Sequence, residues 1–142
     1  MTALRRLVFL IACLAAPVPL LANDLMQDQF ETSPETRWRF FADTVMGGVS
    51  RGQATFHSEN GVAYARLSGQ VSTANNGGFI QMRRDDIDPP SGATGVRLIA
   101  RGNTQAYYIH LRTGGALLPW QYYQAAFDVT PDWREIRLPL AG

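Results

Sequence analysis

Asp43-Thr44-Val45-Met46-Gly47-Gly48-Val49-Ser50 is the stretch of sequence that does most to define the fold. The adjacent glycines Gly47 and Gly48 permit positive φ angles and close backbone approach, so the chain can turn sharply into a strand. Asp43 and Ser50 can each accept local backbone N–H bonds and hold such a loop in place. The stretch therefore predicts a structural corner between two strands, and a ligand-binding loop is the alternative interpretation.

A second corner of the same chemistry is predicted at Asn75-Asn76-Gly77-Gly78-Phe79. Asparagine tolerates the left-handed backbone region, glycine allows tight passage of the chain, and Phe79 begins a strand pattern. We expect both corners to be structural. The residues assigned to them are Asp43, Met46, Gly47, Gly48, Ser50, Asn75, Asn76, Gly77, Gly78 and Phe79.

Most of the remaining sequence consists of short alternating runs separated by Gly, Pro, Asn and Asp, which predict strands. The predicted strands lie near 37–42, 49–57, 62–72, 78–83, 95–101, 105–112, 121–129 and 132–139. Asn60-Gly61 is a strong hairpin signal between two runs, and Gly102-Asn103 indicates a second hairpin. Short strands with turn signals at this spacing predict an all-β fold, a β-sandwich or jelly roll.

Alternation along three of these strands defines a candidate binding face, because the side-chain period of a strand is two. We assume that the strands at 95–101, 105–112 and 121–129 are neighbours. The residues assigned to their outer face are Arg101, Tyr108, His110, Arg112, Trp120, Tyr122 and Gln124. The positions predicted to point inward are Val96, Leu98, Ala100, Tyr107, Ile109, Leu111, Tyr123, Ala125, Phe127 and Val129. Such a face predicts a protein partner, since Trp, Tyr and Arg dominate protein interfaces, or a glycan that stacks on the rings.

The first 22 residues have the features of a secretory signal peptide. Arg5 and Arg6 give a positive start, and residues 7–21 are almost wholly apolar but too short to span a bilayer. Ala22 supplies a small residue at the expected cleavage site. We therefore predict a protein exported to the periplasm or secreted, with no stable membrane span after cleavage.

The mature part is predicted to be one domain, residues 23–142. An alternative signal, in which Cys13 is lipidated, is less favoured because the apolar run continues for eight residues beyond Cys13. Cys13 is the only cysteine. Cleavage would therefore leave a chain without disulfides or thiolate sites.

Charge argues against nucleic acid as a partner. All 13 basic residues are arginine, and two of them lie in the leader, which leaves 11 arginines against 12 acidic residues and a net charge of −1. Such a chain lacks the positive electrostatic field that would attract nucleic acid or an anionic membrane surface.

No catalytic or cofactor motif appears in the sequence: it has no G-x-S-x-G, no H-E-x-x-H and no phosphate-binding glycine loop. His57 and His110 lie on separate predicted strands and are interpreted as ordinary histidines. Asp85, Asp86 and Asp88 invite a calcium interpretation, but two prolines follow where an EF-hand loop needs further ligands. We interpret them as a solvated loop, and we predict no enzymatic activity, no cofactor and no metal site.

The sequence at 133–140 has a strand pattern, and the chain stops two residues later without a polar tail. We therefore expect a C-terminally truncated sandwich whose last strands are missing.

Further motifs accompany the first corner in a fixed order. They are Trp38, Phe41 to Ser50, Gly69-Gln70-Val71-Ser72, Asn75 to Phe79, Arg83, Arg101-Gly102, Tyr123 to Phe127, Trp133 and Leu138-Pro139. Together they resemble the complex I intermediate-associated protein 30 family over about residues 38–140. The resemblance implies a galactose-binding-like β-sandwich, the fold of many carbohydrate-binding modules, and no enzyme activity.

The family takes its name from a mitochondrial assembly factor for respiratory complex I, and its pattern continues past Leu138-Pro139 into further strands. These observations lead to three functional hypotheses. The first is an exported, non-catalytic binding module that acts as an assembly or protein-interaction factor with an unknown partner. The second is a module that binds a glycan or an envelope polysaccharide. A hydrolase on the same sandwich comes third.

Overall fold

The computed structural model describes residues 26–85, 87–118 and 121–140 of the 142-residue chain. The predicted signal peptide, Asp86 and Trp120 lie outside these residues. Eight strands are present where eight are predicted: β1 (Trp38–Ala42), β2 (Arg51–Glu59), β3 (Val62–Gln70), β4 (Ile80–Arg84), β5 (Gly95–Ala100), β6 (Ala106–Leu111), β7 (Tyr123–Asp128) and β8 (Arg134–Pro139). Within the described residues the helices are short 3-10 turns at Pro34–Thr36, Asp43–Met46 and Ala74–Asn76.

The predicted all-β class is thus confirmed, and the architecture is consistent with a β-sandwich. Among the described residues there is no helix long and apolar enough to cross a membrane.

The N-terminal half, residues 26–84, contains two antiparallel strand pairs. β1 pairs with β4, from Trp38 opposite Arg84 to Ala42 opposite Ile80. β2 and β3 form the predicted hairpin, whose turn residues Asn60 and Gly61 have φ angles of 52° and 78°. Positive φ at both central positions suits the twist of a two-residue hairpin turn, so the Asn-Gly prediction is confirmed.

The hairpin packs against the β1–β4 pair through a cross-strand pair of glycines, Gly52 and Gly69. A Cβ atom on Gly52 would lie 3.2 Å from Phe40 Cζ, and one on Gly69 would lie 2.9 Å from Ile80 Cδ1. Phe40 belongs to β1 and Ile80 to β4, so the glycines mark the place where side chains of one layer meet the backbone of the other.

The C-terminal half, residues 95–140, forms one long bent ribbon. β5 pairs with β8, from Gly95 opposite Pro139 to Ala100 opposite Arg134. Continuing that register across the gap would place Ala106 opposite Asp128, which is its observed partner in the β6–β7 pair. The two pairs are therefore parts of one ladder that is interrupted at 101–105 and 129–133.

The hairpin predicted at Gly102-Asn103 is wrong. The Gly102 N–H donates to the Thr130 carbonyl at 2.8 Å, and the Val129 N–H donates to the Gln105 carbonyl at 3.3 Å. The chain therefore bends at this point, which we call the ribbon corner, and stays paired with the same partner segment. Glycine and asparagine favour a bend as readily as a reversal, and the antiparallel pairing of β6 with β7 shows that the chain reverses between those two strands.

Burial follows the predicted alternation in the ribbon. Inward positions of β5 and β6 are half-buried, while outward positions, such as Ile99 and Tyr108, are exposed. Tyr123 is the exception, because it was predicted inward and is exposed. The apolar residues with the least exposure among those described are Ala42 at the first glycine corner and Val129 at the ribbon corner.

One carboxylate anchors the segment before β1. Asp28 accepts hydrogen bonds from the Arg37 Nη2 and Trp38 Nε1 atoms at 2.9 Å and from Arg84 Nη1 at 2.7 Å. The backbone N–H of Phe30 donates a further bond at 3.0 Å. The Arg37 hydrogen bond holds the pKa of Asp28 well below its usual range, and the bonds from Phe30 and Trp38 act in the same direction against the effect of burial.

Replacement of Asp28 by asparagine should lower the free energy of unfolding by about 2 kcal/mol, because charge-assisted hydrogen bonds to two arginines are lost. Chemical denaturation of the two proteins would measure the difference. The exposed Asp88 provides the control, and Asp88→Asn should leave stability within about 0.5 kcal/mol of the parent. Equal effects of the two changes would show that Asp28 is not an anchor.

Candidate functional site

The two glycine corners meet at the carboxylate of Asp43, which is fully buried. Asp43 follows the last residue of β1 and begins a 3-10 turn, so its side chain points beneath both corners. Its Oδ1 accepts the Ser50 N–H at 2.9 Å. Its Oδ2 accepts the Ser50 hydroxyl at 2.5 Å, the Gly78 N–H at 2.7 Å and the Phe79 N–H at 3.4 Å. One side chain therefore bonds to both corners.

Backbone and serine contacts complete the arrangement, which we call the Asp43 junction. The Asp43 N–H donates to the Phe79 carbonyl at 3.2 Å, and the Gly48 N–H donates to the Asp43 carbonyl at 3.0 Å. Ser50, whose side chain is also buried, accepts the Ser72 N–H on its hydroxyl oxygen at 2.9 Å. Ser72 follows β3, so the junction ties together the ends of all four strands of the N-terminal half.

The paired glycines at each corner serve different purposes. Gly47 and Gly78 have φ angles of 91° and 145°, a region that side chains rarely adopt. Gly48 and Gly77 are needed for space instead. A Cβ on Gly48 would lie 2.3 Å from Asp43 Cγ, and one on Gly77 would lie 2.4 Å from Asp43 Oδ2. The sequence motif indicated the glycines but not this division of roles.

The environment of Asp43 keeps it charged. Burial would by itself raise its pKa, but the hydrogen bonds from the Ser50 hydroxyl and from the N–H groups of Gly78, Ser50 and Phe79 outweigh burial and lower the pKa. A buried carboxylate whose lone pairs are occupied by the protein is an acceptor and not a proton donor near neutral pH.

The candidate binding face is partly assembled by β6 and β7. His110 lies opposite Gln124, and its ring stacks on Tyr122 with centroids 4.2 Å apart and planes 19° apart. Tyr108 is 56% exposed and Tyr122 is 41% exposed, so both rings are accessible to a ligand. Arg112 lies beyond the end of β6, where its guanidinium donates to the Leu118 carbonyl at 3.4 Å.

Arg101 does not join this face. The assumption that β5 and β6 are neighbours is wrong, because β5 pairs with β8 and β6 with β7. Arg101 lies at the ribbon corner, 4.6 Å from the ring centre of Trp133 and 3.1 Å from the carboxylate of Glu59. We therefore define the β6–β7 face as Tyr108, His110, Arg112, Tyr122 and Gln124. Trp120, which is also predicted to belong to it, lies outside the described residues.

Two features of the site were missed from the sequence. Ser72 completes the Asp43 junction, and its place as the last residue of a predicted strand gave no sign of that role. Trp133 stacks on Arg101, a contact that depends on the register of β5 with β8.

The acidic loop is predicted to be solvated, and in the structure its residue Asp85 pairs with Arg39 and Arg83. Within the described residues no group of three or more His, Cys, Asp or Glu side chains is placed to hold a metal ion.

The steric role of Gly48 gives a direct prediction. Gly48→Ala should lower the free energy of unfolding by about 3 kcal/mol, because the new methyl group overlaps the buried side chain of Asp43. Gly114→Ala is the matched control, since a Cβ there has open space around it. Thermal and chemical denaturation would compare the two, and a Gly48→Ala protein as stable as the control would contradict the proposed geometry.

The charge of Asp43 predicts acid sensitivity. Because its folded-state pKa is depressed, its contribution to stability is present above the unfolded value of about 4 and is lost as the pH falls toward the folded value. Asp43→Asn should reduce the melting temperature at pH 7 by about 10 °C. The Asp43→Asn protein should also lose less stability than the parent as the pH falls from roughly 5 to 3. Parallel acid-stability curves for parent and variant would contradict this account.

The motif order and the all-β fold extend over most of the described part of the chain, and the Asp43 junction lies in its N-terminal half. The sequence pattern described as complex I intermediate-associated protein 30 matches residues 28–142. No curated protein and no solved structure matches the chain. The match covers most of the sequence and includes both glycine corners and the ribbon, and the chain therefore belongs to the complex I intermediate-associated protein 30 family.

Proposed function

We propose that this chain is an exported, non-catalytic binding module that acts as an assembly or protein-interaction factor. The observation that carries the proposal is the β6–β7 face, where exposed aromatic rings lie beside polar and basic side chains. Membership of a family named for an assembly intermediate of a respiratory complex supports a role in interaction.

The Asp43 junction favours a structural role for the strongest sequence motif. Asp43 and Ser50 are at most 1% exposed, and they bond to each other and to backbone groups of the two corners. A ligand has no access to the carboxylate, and a depressed pKa makes it a poor general acid or base. We therefore assign recognition to the β6–β7 face.

The chemistry of that face suits a protein partner. Tyrosine presents a large, rigid ring with a polar end, and tyrosine and arginine are enriched among the residues that dominate binding energy. Tyr108 is exposed on β6 and Tyr122 is exposed directly before β7, with Arg112 directly after β6. Arg112 is the cationic member of the face, so we expect a partner that offers apolar or aromatic groups together with carbonyl or carboxylate acceptors.

The stacked pair of His110 and Tyr122 favours carbohydrate binding as the second candidate. An exposed aromatic ring can pack against the apolar face of a sugar, while Gln124 and Arg112 supply hydrogen bonds to hydroxyl groups. A glycan or envelope polysaccharide would use the same face, so one set of variants tests both candidates.

We predict that Tyr122→Ala reduces binding to the partner at least about tenfold, since it removes an exposed aromatic ring that stacks on His110. Pull-down from the envelope fraction of the host and a glycan array would each be run with the parent and the variant. Tyr123→Ala is the matched control, because Tyr123 is the next residue, is exposed, and points to the opposite side of the ribbon.

Loss of a captured protein with Tyr122→Ala alone supports the interaction factor, and loss of a glycan signal supports the carbohydrate module. If the parent binds nothing in either assay, or if Tyr122→Ala binds as well as Tyr123→Ala, the β6–β7 face is not the binding site.

Export is the second part of the proposal. The positive start and apolar run of residues 1–22 predict cleavage after Ala22, so protein purified from its host should begin at Asn23. N-terminal sequencing of the native protein would test this prediction. An intact Met1, or a chain that begins with a lipidated Cys13, would show that this cleavage does not occur.

A further inference from the structure

The two halves of the described chain are joined at one small place. Every hydrogen bond, ion pair and aromatic contact between residues 26–84 and 95–140 of the described chain involves either Arg101 or Trp133. Each half is held internally by its own ladders, so the joint between them depends on few side chains.

Arg101 lies at the centre of this joint. Its guanidinium lies 4.6 Å from the ring centre of Trp133 and 6.0 Å from that of Tyr64. Its Nη2 atom is 3.1 Å from Oε2 of Glu59, on the β2–β3 hairpin. The rings of Tyr64 and Trp133 meet edge to face, with centroids 5.6 Å apart and planes 71° apart.

The contacts of Arg101 are directional but weak. Its side chain is 37% exposed and that of Glu59 is 47% exposed, and an ion pair so open to water contributes little and is screened by salt. The stacking of a guanidinium on an indole adds a further modest attraction and requires the planar group of arginine. A joint of this kind can open without unfolding either half.

We propose that Arg101 is a latch that sets the orientation of the two halves, which are connected by a hinge within residues 87–94. In the closed state Arg101 bridges Trp133 and Glu59. In the open state Trp133 and Tyr64 are uncovered, and the β6–β7 face moves relative to the β2–β3 hairpin. A few residues between rigid elements suffice for such a hinge.

The test compares Arg101→Gln with Arg97→Gln in the full chain. Arg97 is somewhat more exposed, at 47% against 37% for Arg101, and is paired with Glu135 at 2.9 Å, but both partners lie in the C-terminal half. Small-angle X-ray scattering would measure the radius of gyration, and hydrogen exchange would measure protection of the amides at 62–66 and 132–134.

Arg101→Gln should increase the radius of gyration and speed exchange in those two segments roughly tenfold, as expected for loss of a local closed state. Salt at about 1 M should shift the parent in the same direction. The Ser50 and Gly78 amides, which bond to Asp43, should stay as protected as in the parent and serve as the internal standard for folding.

Arg97→Gln should behave like the parent in both measurements. The latch is overturned if Arg101→Gln matches Arg97→Gln, because the joint then does not depend on Arg101. It is equally overturned if Arg101→Gln removes protection at Ser50 and Gly78, because Arg101 then supports the fold as a whole.

Discussion

A buried carboxylate must be hydrogen-bonded on all sides, and the fold of the N-terminal half follows from that requirement at Asp43. β1 ends directly before Asp43, and β2 begins after the first glycine corner. β3 leads into the second glycine corner, and β4 begins after it. The hydrogen bonds to Ser50, Gly78 and Phe79 therefore bring four strand ends to one point. The requirement also explains two of the four glycines, because the Asp43 carboxylate leaves no space for a side chain at position 48 or 77.

Much of this fold could be predicted from the sequence because strands and turns have local signals. The alternating runs predicted eight strands to within a few residues, and Asn60-Gly61 predicted the hairpin that joins two of them. The two corners were likewise visible as Gly-Gly pairs preceded by residues that cap or turn the chain. What the local signals could not give was which strand pairs with which.

The error at Gly102-Asn103 shows the physical reason. The same two residue types serve a reversal and a bend, and only the distant segment 129–133 decides between them by pairing across the corner. That pairing moves Arg101 away from the β6–β7 face and onto Trp133, so one predicted site residue belongs to the joint between the halves. His110 and Gln124, in contrast, come together because β6 and β7 are paired directly, and Tyr122 stacks on His110 from its position just before β7.

The structural motif and the proposed binding face lie in different parts of the chain. The motif that is most distinctive in the sequence is used internally, and its charged group is sealed from solvent. The exposed aromatic residues lie on a ribbon whose position depends on a few side chains, which suits a module that adapts to a partner.

The central claim is that Asp43 is a charged structural group, held in that state by hydrogen bonds that more than offset its burial. A carbon-13 NMR titration of the Asp43 carboxyl group in the folded protein measures this directly. The account predicts that this carboxyl titrates below the range of an ordinary aspartate, at a pH where the fold itself begins to fail. Titration within or above the ordinary range would contradict it, because burial would then outweigh the hydrogen bonds on which the two corners depend.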